Sequence, residues 1–285
     1  MSSSLRKRIL PAGWYPASKN GVTEMLDEWK KEWEQEGKSP SKNAVSAIVP
    51  HAGWAFSGKL AFKTMLYIGA DYDTVVVVGG HMAAGEGVVA AEESGFETPL
   101  GDVENDGELV RAIAEEMHVG SDRVPDNTVE VNLPFVKYLF PKSRVVWLRT
   151  GAGDEAKRAG KACAAAAGKL GRKVCLVGST DLTHYGPSYG FMPKGRGEAA
   201  FRWAKDENDA SVIEAMVSMD ADEVLRLGNS EKAACSSGAA AAAVEFARAS
   251  GVTSGRLVGY ASSHDLHPGD SFVGYAGIIY DSDAS

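Results

Sequence analysis

From residue 44 onward the chain alternates between short apolar, β-branched runs and longer segments of helical composition. The runs are AVSAIV (44–49), TVVVV (74–78), RVVWL (144–148) and KVCLV (173–177). Nearly continuous apolar strands separated by helices predict a parallel or mixed sheet, because such strands need both faces covered. Helices are predicted over 58–69, 106–117, 130–140, 154–169, 197–218 and 235–250. Two of these, 154–169 and 235–250, contain the alanine-rich tracts CAAAAG and GAAAAAVEFA, and alanine is the strongest helix former. Two further strands, 254–263 and 271–280, succeed one another near the carboxyl end and are expected to pair antiparallel through HDLHPGD. Ahead of the first strand, EMLDEWKKEWEQEGKSP spaces Trp29 and Trp33 four apart, predicting an amphipathic helix ended by Gly37 and Pro40. The fold class expected is α/β: one domain over 1–285, with a central mixed, largely parallel sheet flanked by helices.

Composition narrows the function classes. A chain of 285 residues, 44% hydrophobic, can bury a substantial core as one domain. Thirty basic against thirty-eight acidic residues give a net charge of −8, which argues against nucleic acid or anionic lipid as partner. MSSSLRKRIL is basic but carries no long apolar stretch, and no run of about 18 apolar residues follows, so neither a secretory signal nor a membrane span is expected. Three cysteines without CxxC spacing suit a reducing, cytoplasmic compartment. Cys163 and Cys175 stand in apolar or alanine-rich surroundings and read as small core residues. No Walker loop or strand–GxGxxG–helix unit occurs, so no nucleotide site is expected.

Candidate chemistry gathers after the strands, where ligands bind in open α/β sheets. His51 follows AIVP, His81 follows VVVVGG, and Asp181 and His184 follow CLVGST. Two imidazoles with one anionic ligand and open positions describe a non-haem ferrous site or a catalytic zinc site. The anionic ligand is either Cys235, at a predicted helix start that would favour its thiolate, or Glu130, an acid set among apolar residues in NTVEVNLPF. His264 and His267 in SSHDLHPGD read as residues of a solvated turn, and His118 as a helix carboxyl-terminal residue.

PHAGWAFSG, TPLGDVEND, VEVNLPF, STDLTHYG and SFVGYAG, ordered along a chain that matches from about residue 10 to residue 280, together resemble the Memo family, also called AmmeMemoRadiSam system protein B. The resemblance implies a fold similar to class III, LigB-type extradiol dioxygenases, which open catecholic rings with ferrous iron and O2. It implies His51, His81 and Cys235 as metal ligands, and His184 as acid and base with Asp181 beside it to orient the ring. Three departures from the family pattern stand out: Gly79-Gly80 before His81 in place of Gly-Pro-x, Asn127 where DNTVE replaces E-H-S-x-E, and CSSG in place of C-G-x-x-P. The expected activity is that of a non-haem oxygenase acting on a catechol-like small aromatic, with Trp54, Phe56 and Tyr185 as stacking candidates and Glu130 as a further substrate-binding candidate. Fe(II) is the favoured metal, with copper or zinc as alternatives. The rival expectation is a non-catalytic copper or iron protein with a redox or protein-partner role; a third is zinc-assisted hydrolysis, with Asp181 or Glu130 activating water.

Overall fold

The structure, a computed structural model, describes residues 4–36, 43–69, 71–124 and 126–281. Its strands are β1 (Leu5–Arg6), β2 (Ala44–Val49), β3 (Thr74–Met82), β4 (Val88–Ala91), β5 (Gly95–Phe96), β6 (Val103–Glu104), β7 (Gly120–Asp122), β8 (Arg144–Gly151), β9 (Val174–Ser179), β10 (His184–Tyr185), β11 (Arg256–Ser262) and β12 (Phe272–Asp281). A nine-stranded sheet runs β10-β12-β2-β9-β3-β8-β4-β7, with β11 also paired to β12. The four apolar runs seen in the sequence form its centre, where β2, β9, β3 and β8 are mutually parallel. β11 and β12 pair antiparallel, as their succession predicts. A small sheet, β1-β5-β6, lies apart.

Alternation along the central strands divides the core in two. Val76, Val78, Val146, Leu148 and Leu176 face one layer, while Val75, Val77, Val145, Trp147 and Val177 face the other. This is the period of two that a strand imposes when both faces are buried. The first face packs the helices Gly107–Glu116, Asp154–Leu170 and Ser237–Ala249; the second packs Lys19–Gln35, Lys59–Met65 and Leu133–Leu139. The alanines of Ser237–Ala249 have a packing reason beyond propensity. A Cβ on Gly160 would stand 2.2 Å from the Ala242 carbonyl oxygen, and one on Gly178 2.5 Å from that of Ala239, so helix, helix and strand meet backbone to backbone.

Several elements differ from their predicted bounds. The helix predicted over 130–140 is two pieces, Asn127–Glu130 and Leu133–Leu139, because Pro134 has no amide to continue the first. The span 197–218 contains a π-helical turn, Ala204–Asp209, and a further helix, Ala221–Glu231, follows it. The amino-terminal helix covers Lys19–Gln35; Gly37 and Pro40, expected to end it, lie outside the described residues. Among the described residues no helix is long and apolar enough to cross a membrane.

Candidate metal centre

β2, β9 and β3 are parallel neighbours, so the residues after them meet at one sheet edge. His51 arrives from β2 and Asp181 from β9. His81 stands within β3 where the register to β8 shifts between Gly79 and Met82. Such an irregularity re-aims a side chain relative to regular pairing. Cys235 comes from the turn before helix Ser237–Ala249, and its backbone N–H donates to the Asp181 carbonyl (3.1 Å). One ligand atom each from His51, His81 and Cys235 lie within 4.8 Å of one another, a group able to hold a metal ion. Cys235 Sγ and His51 Nε2 are 3.2 Å apart.

The tautomer of His51 follows from its neighbours. Ser179 Oγ donates to the Thr128 carbonyl (2.6 Å), so it accepts from His51 Nδ1–H (3.1 Å) and from the Asn132 amide (3.1 Å). Nε2 is then the free lone pair, facing Cys235 and its would-be ion. Burial holds His51 neutral, lowering its pKa to about 4. Desolvation, reinforced by neighbouring His51, also lowers His81. Both imidazoles are therefore neutral near pH 7, the state that ligates.

Cys235 corrects an expectation. The helix is capped by Ser236 and begins at Ser237, so Cys235 precedes the first turn and its sulfur is not among the helix amides. Desolvation instead pushes its thiol up to about 12, with the charge of Asp181 adding to the rise. A thiolate here requires an ion to displace the proton.

Asp181 and His184 line the same cavity, of about 420 Å³, as His51 and His81. Asp181 Oδ1 accepts from the His51 amide (2.7 Å), and burial raises its carboxyl to about 6. His184 is turned by the Leu182 carbonyl, 3.1 Å from Nδ1, and not by a hydrogen bond from Asp181 as expected; this leaves its Nε2 as the basic atom. Desolvation lowers its pKa.

The other candidates separate. Phe56 stays at the cavity rim, 40% exposed. Trp54 is buried, stacks on Phe135 at 4.3 Å and donates to the Val131 carbonyl; it lies outside the polar cavity and borders a neighbouring apolar one. Tyr185 is fully buried, stacks on Phe272 at 5.0 Å and donates to the Gly195 carbonyl. Glu130 is removed from the ligand set: its carboxylate accepts from the amides of Ile9 and Leu10 and from the Tyr15 hydroxyl. His267 is exposed after the short helix Ser263–Leu266, as the turn reading expects, and also lines the cavity with Tyr189, Tyr275 and Asn127. Its position in HDLHPGD between two paired strands was the available signal, since β12 borders β2.

Comparison with known proteins agrees with this geometry in extent. The family model of Memo-like proteins matches residues 6–279. A MEMO1 family protein of Thermococcus onnurineus is 30% identical over 97% of this chain and 99% of its own. One of Methanococcoides burtonii is 32% identical over 84% of this chain and 87% of its own. Among solved structures, an uncharacterized protein of Escherichia coli K12, JW3007, shares the fold with a TM-score of 0.51 at 10% identity, covering 82% of this chain and 98% of that one. The residues that build the cavity all fall inside the matched span, and the chain belongs to the Memo family.

Proposed function

We propose that the protein is a non-haem oxygenase of the extradiol type, holding Fe(II) on His51, His81 and Cys235 and acting on a catechol-like aromatic. The observation that carries this reading is one cavity lined at once by the two neutral imidazoles, a free imidazole base and a buried acid. Its volume, about 420 Å³, suits a small ring. When bound, iron would supply an acidic centre for the diol oxygens and a path for electrons to O2.

The chain's own groups do the rest. His184 Nε2 takes a phenolic proton, a task for which an imidazole with lowered pKa is unprotonated at neutral pH. The same nitrogen, once protonated, would return that proton to the ring-opened product, which keeps all of the substrate's carbons. Asp181 fixes the backbone of His51 and sets a negative field beside both imidazoles. Tyr275 and Ser263 line the same cavity.

Anaerobic loading with Fe(II), followed by air and a panel of catechols, tests the reading through O2 uptake. Uptake that His184→Gln abolishes while iron stays bound is expected. Bound iron with no uptake across the panel refutes the oxygenase. Because two imidazoles and a thiol also suit copper, preferential copper retention in the same protein would favour the non-catalytic metal-binding reading.

A further inference from the structure

Beside the polar cavity runs a larger one, about 730 Å³, with predominantly apolar walls. It lies between residues 12–17, the helix Lys19–Gln35, the π-helical turn Trp54–Gly58 and residues 261–266. Trp14, Met25, Trp29, Phe56, Leu60 and Leu266 supply the apolar walls. Trp14 and Phe56 line both cavities, so the two adjoin at that pair. Phe56 at 40% and Leu266 at 53% exposure are among the few large apolar side chains left open to solvent. Clustered exposure of this kind marks a binding surface.

The charged groups of this groove are already partnered. Lys59 pairs with Glu32 and Lys63 with Glu36, while Asp265 completes the capping box with Ser262. The groove thus offers mainly hydrocarbon surface, whereas the neighbouring cavity offers His51, Asp181, His184 and Ser271 to a polar head. A ligand spanning both must be polar at one end and hydrocarbon at the other.

We infer that the groove holds the hydrocarbon tail of an amphiphilic aromatic, an alkyl-substituted diol whose ring lies among the histidines. The inference deepens the proposed function and rests on it for the identity of the head group. It also makes Trp14 and Phe56 the pair that passes the tail from one cavity to the other. The backbone of Trp14 is fixed to that junction, since its carbonyl accepts from the Trp54 amide at 2.7 Å.

The test is a binding titration of the full chain under nitrogen, before and after Fe(II) is added, with 4-methyl-, 4-butyl- and 4-octylcatechol. Tryptophan fluorescence and calorimetry report occupancy without turnover. Affinity is expected to rise about twofold to fourfold per added methylene as the tail enters the groove. Leu266→Glu and Met25→Glu, placed in the groove wall, should each cut the octyl-to-methyl affinity ratio at least about fivefold; two variants guard against misfolding of either. An affinity indifferent to tail length, the pattern of a groove kept for a protein partner, overturns the inference, as does an unchanged ratio in both folded variants. Tail-dependent binding without O2 uptake would sustain the groove and reject the oxygenase. Uptake with no tail dependence would do the reverse.

Discussion

Replacing Thr128 by valine should loosen His81, whose turn the threonine hydroxyl holds, while the backbone carbonyl that supports His51 through Ser179 stays in place. Thr128 is fully buried and touches each ligand through one intermediary. Its carbonyl accepts from Ser179 Oγ, which in turn accepts from His51 Nδ1–H. Its hydroxyl accepts from the Gly80 amide at 2.9 Å, directly before His81, and donates to Asp126. Asp126 is held by Arg149 (3.4 Å), itself bidentate on Asp122 at 2.6 and 2.8 Å. The turn is tight, for a Cβ on Gly79 would lie 2.0 Å from Thr128 Oγ1, and Gly80 has φ +113. Valine keeps the shape but leaves the Gly80 N–H and an Asp126 oxygen short of a partner in a dry interior. That costs about 1–3 kcal/mol of stability. Groups that orient metal-bound histidines typically contribute about 10–100-fold to affinity, and a loss in that range is expected for Thr128→Val. Competition with a chromophoric chelator for Zn2+ measures affinity, and urea unfolding of the same samples measures stability. Thr128→Ser, which keeps the hydroxyl, should recover most of the affinity. Affinity equal to wild type in a destabilised Thr128→Val would refute the reasoning, leaving the hydroxyl a purely structural role.

Two pH-linked outcomes follow from buried groups. With the Cys235 thiol raised to about 12 and His51 lowered to about 4, metal binding at pH 7.5 should release about one proton, read with an indicator dye in weak buffer. Release that does not fall in Cys235→Ser would remove sulfur from the ligand set. Asp209, which accepts from Thr183 and Tyr260, is raised to about 7 by burial. An unfolded aspartate titrates near about 3.9, so between about pH 4 and 7 the folded chain binds more protons than the unfolded chain. Asp209 therefore contributes stability that is present at about pH 4 and lost as pH rises through 7. The urea midpoint of wild type relative to Asp209→Asn should fall between pH 5 and 8; a constant difference would show that Asp209 is charged throughout.

The framework of the site was legible because it depends on strand order alone. Apolar runs with histidines at their carboxyl ends must meet if the runs are parallel neighbours, and β2, β9 and β3 are. Side-chain direction was legible in one case where it was not used. His184 and Tyr185 are consecutive in β10, so if the imidazole faces the cavity the phenol faces the core, as Tyr185 does. Trp54 was less accessible, since its fate is decided by Phe135 and Val131, some eighty residues on. The state of Cys235 turned on a helix boundary two residues away, a margin within which pattern reasoning does not discriminate.

Glu130 is instructive. An acid among apolar residues demands a partner, which either an ion or buried hydrogen-bond donors can supply. The partners are the amides of Ile9 and Leu10 and the hydroxyl of Tyr15, more than a hundred residues earlier, which no local pattern reveals. Yet the segment belongs to the site in another way. In the single turn Asn127–Glu130, Asn127 lines the polar cavity and Thr128 supports both histidines, while Glu130 anchors the stretch that carries Trp14 and Tyr15 into the apolar groove. The departure DNTVE thus falls where the metal group, the polar cavity and the groove lie side by side. Changes in this turn should alter metal affinity and ligand selection together, even though none of its side chains is in the metal group.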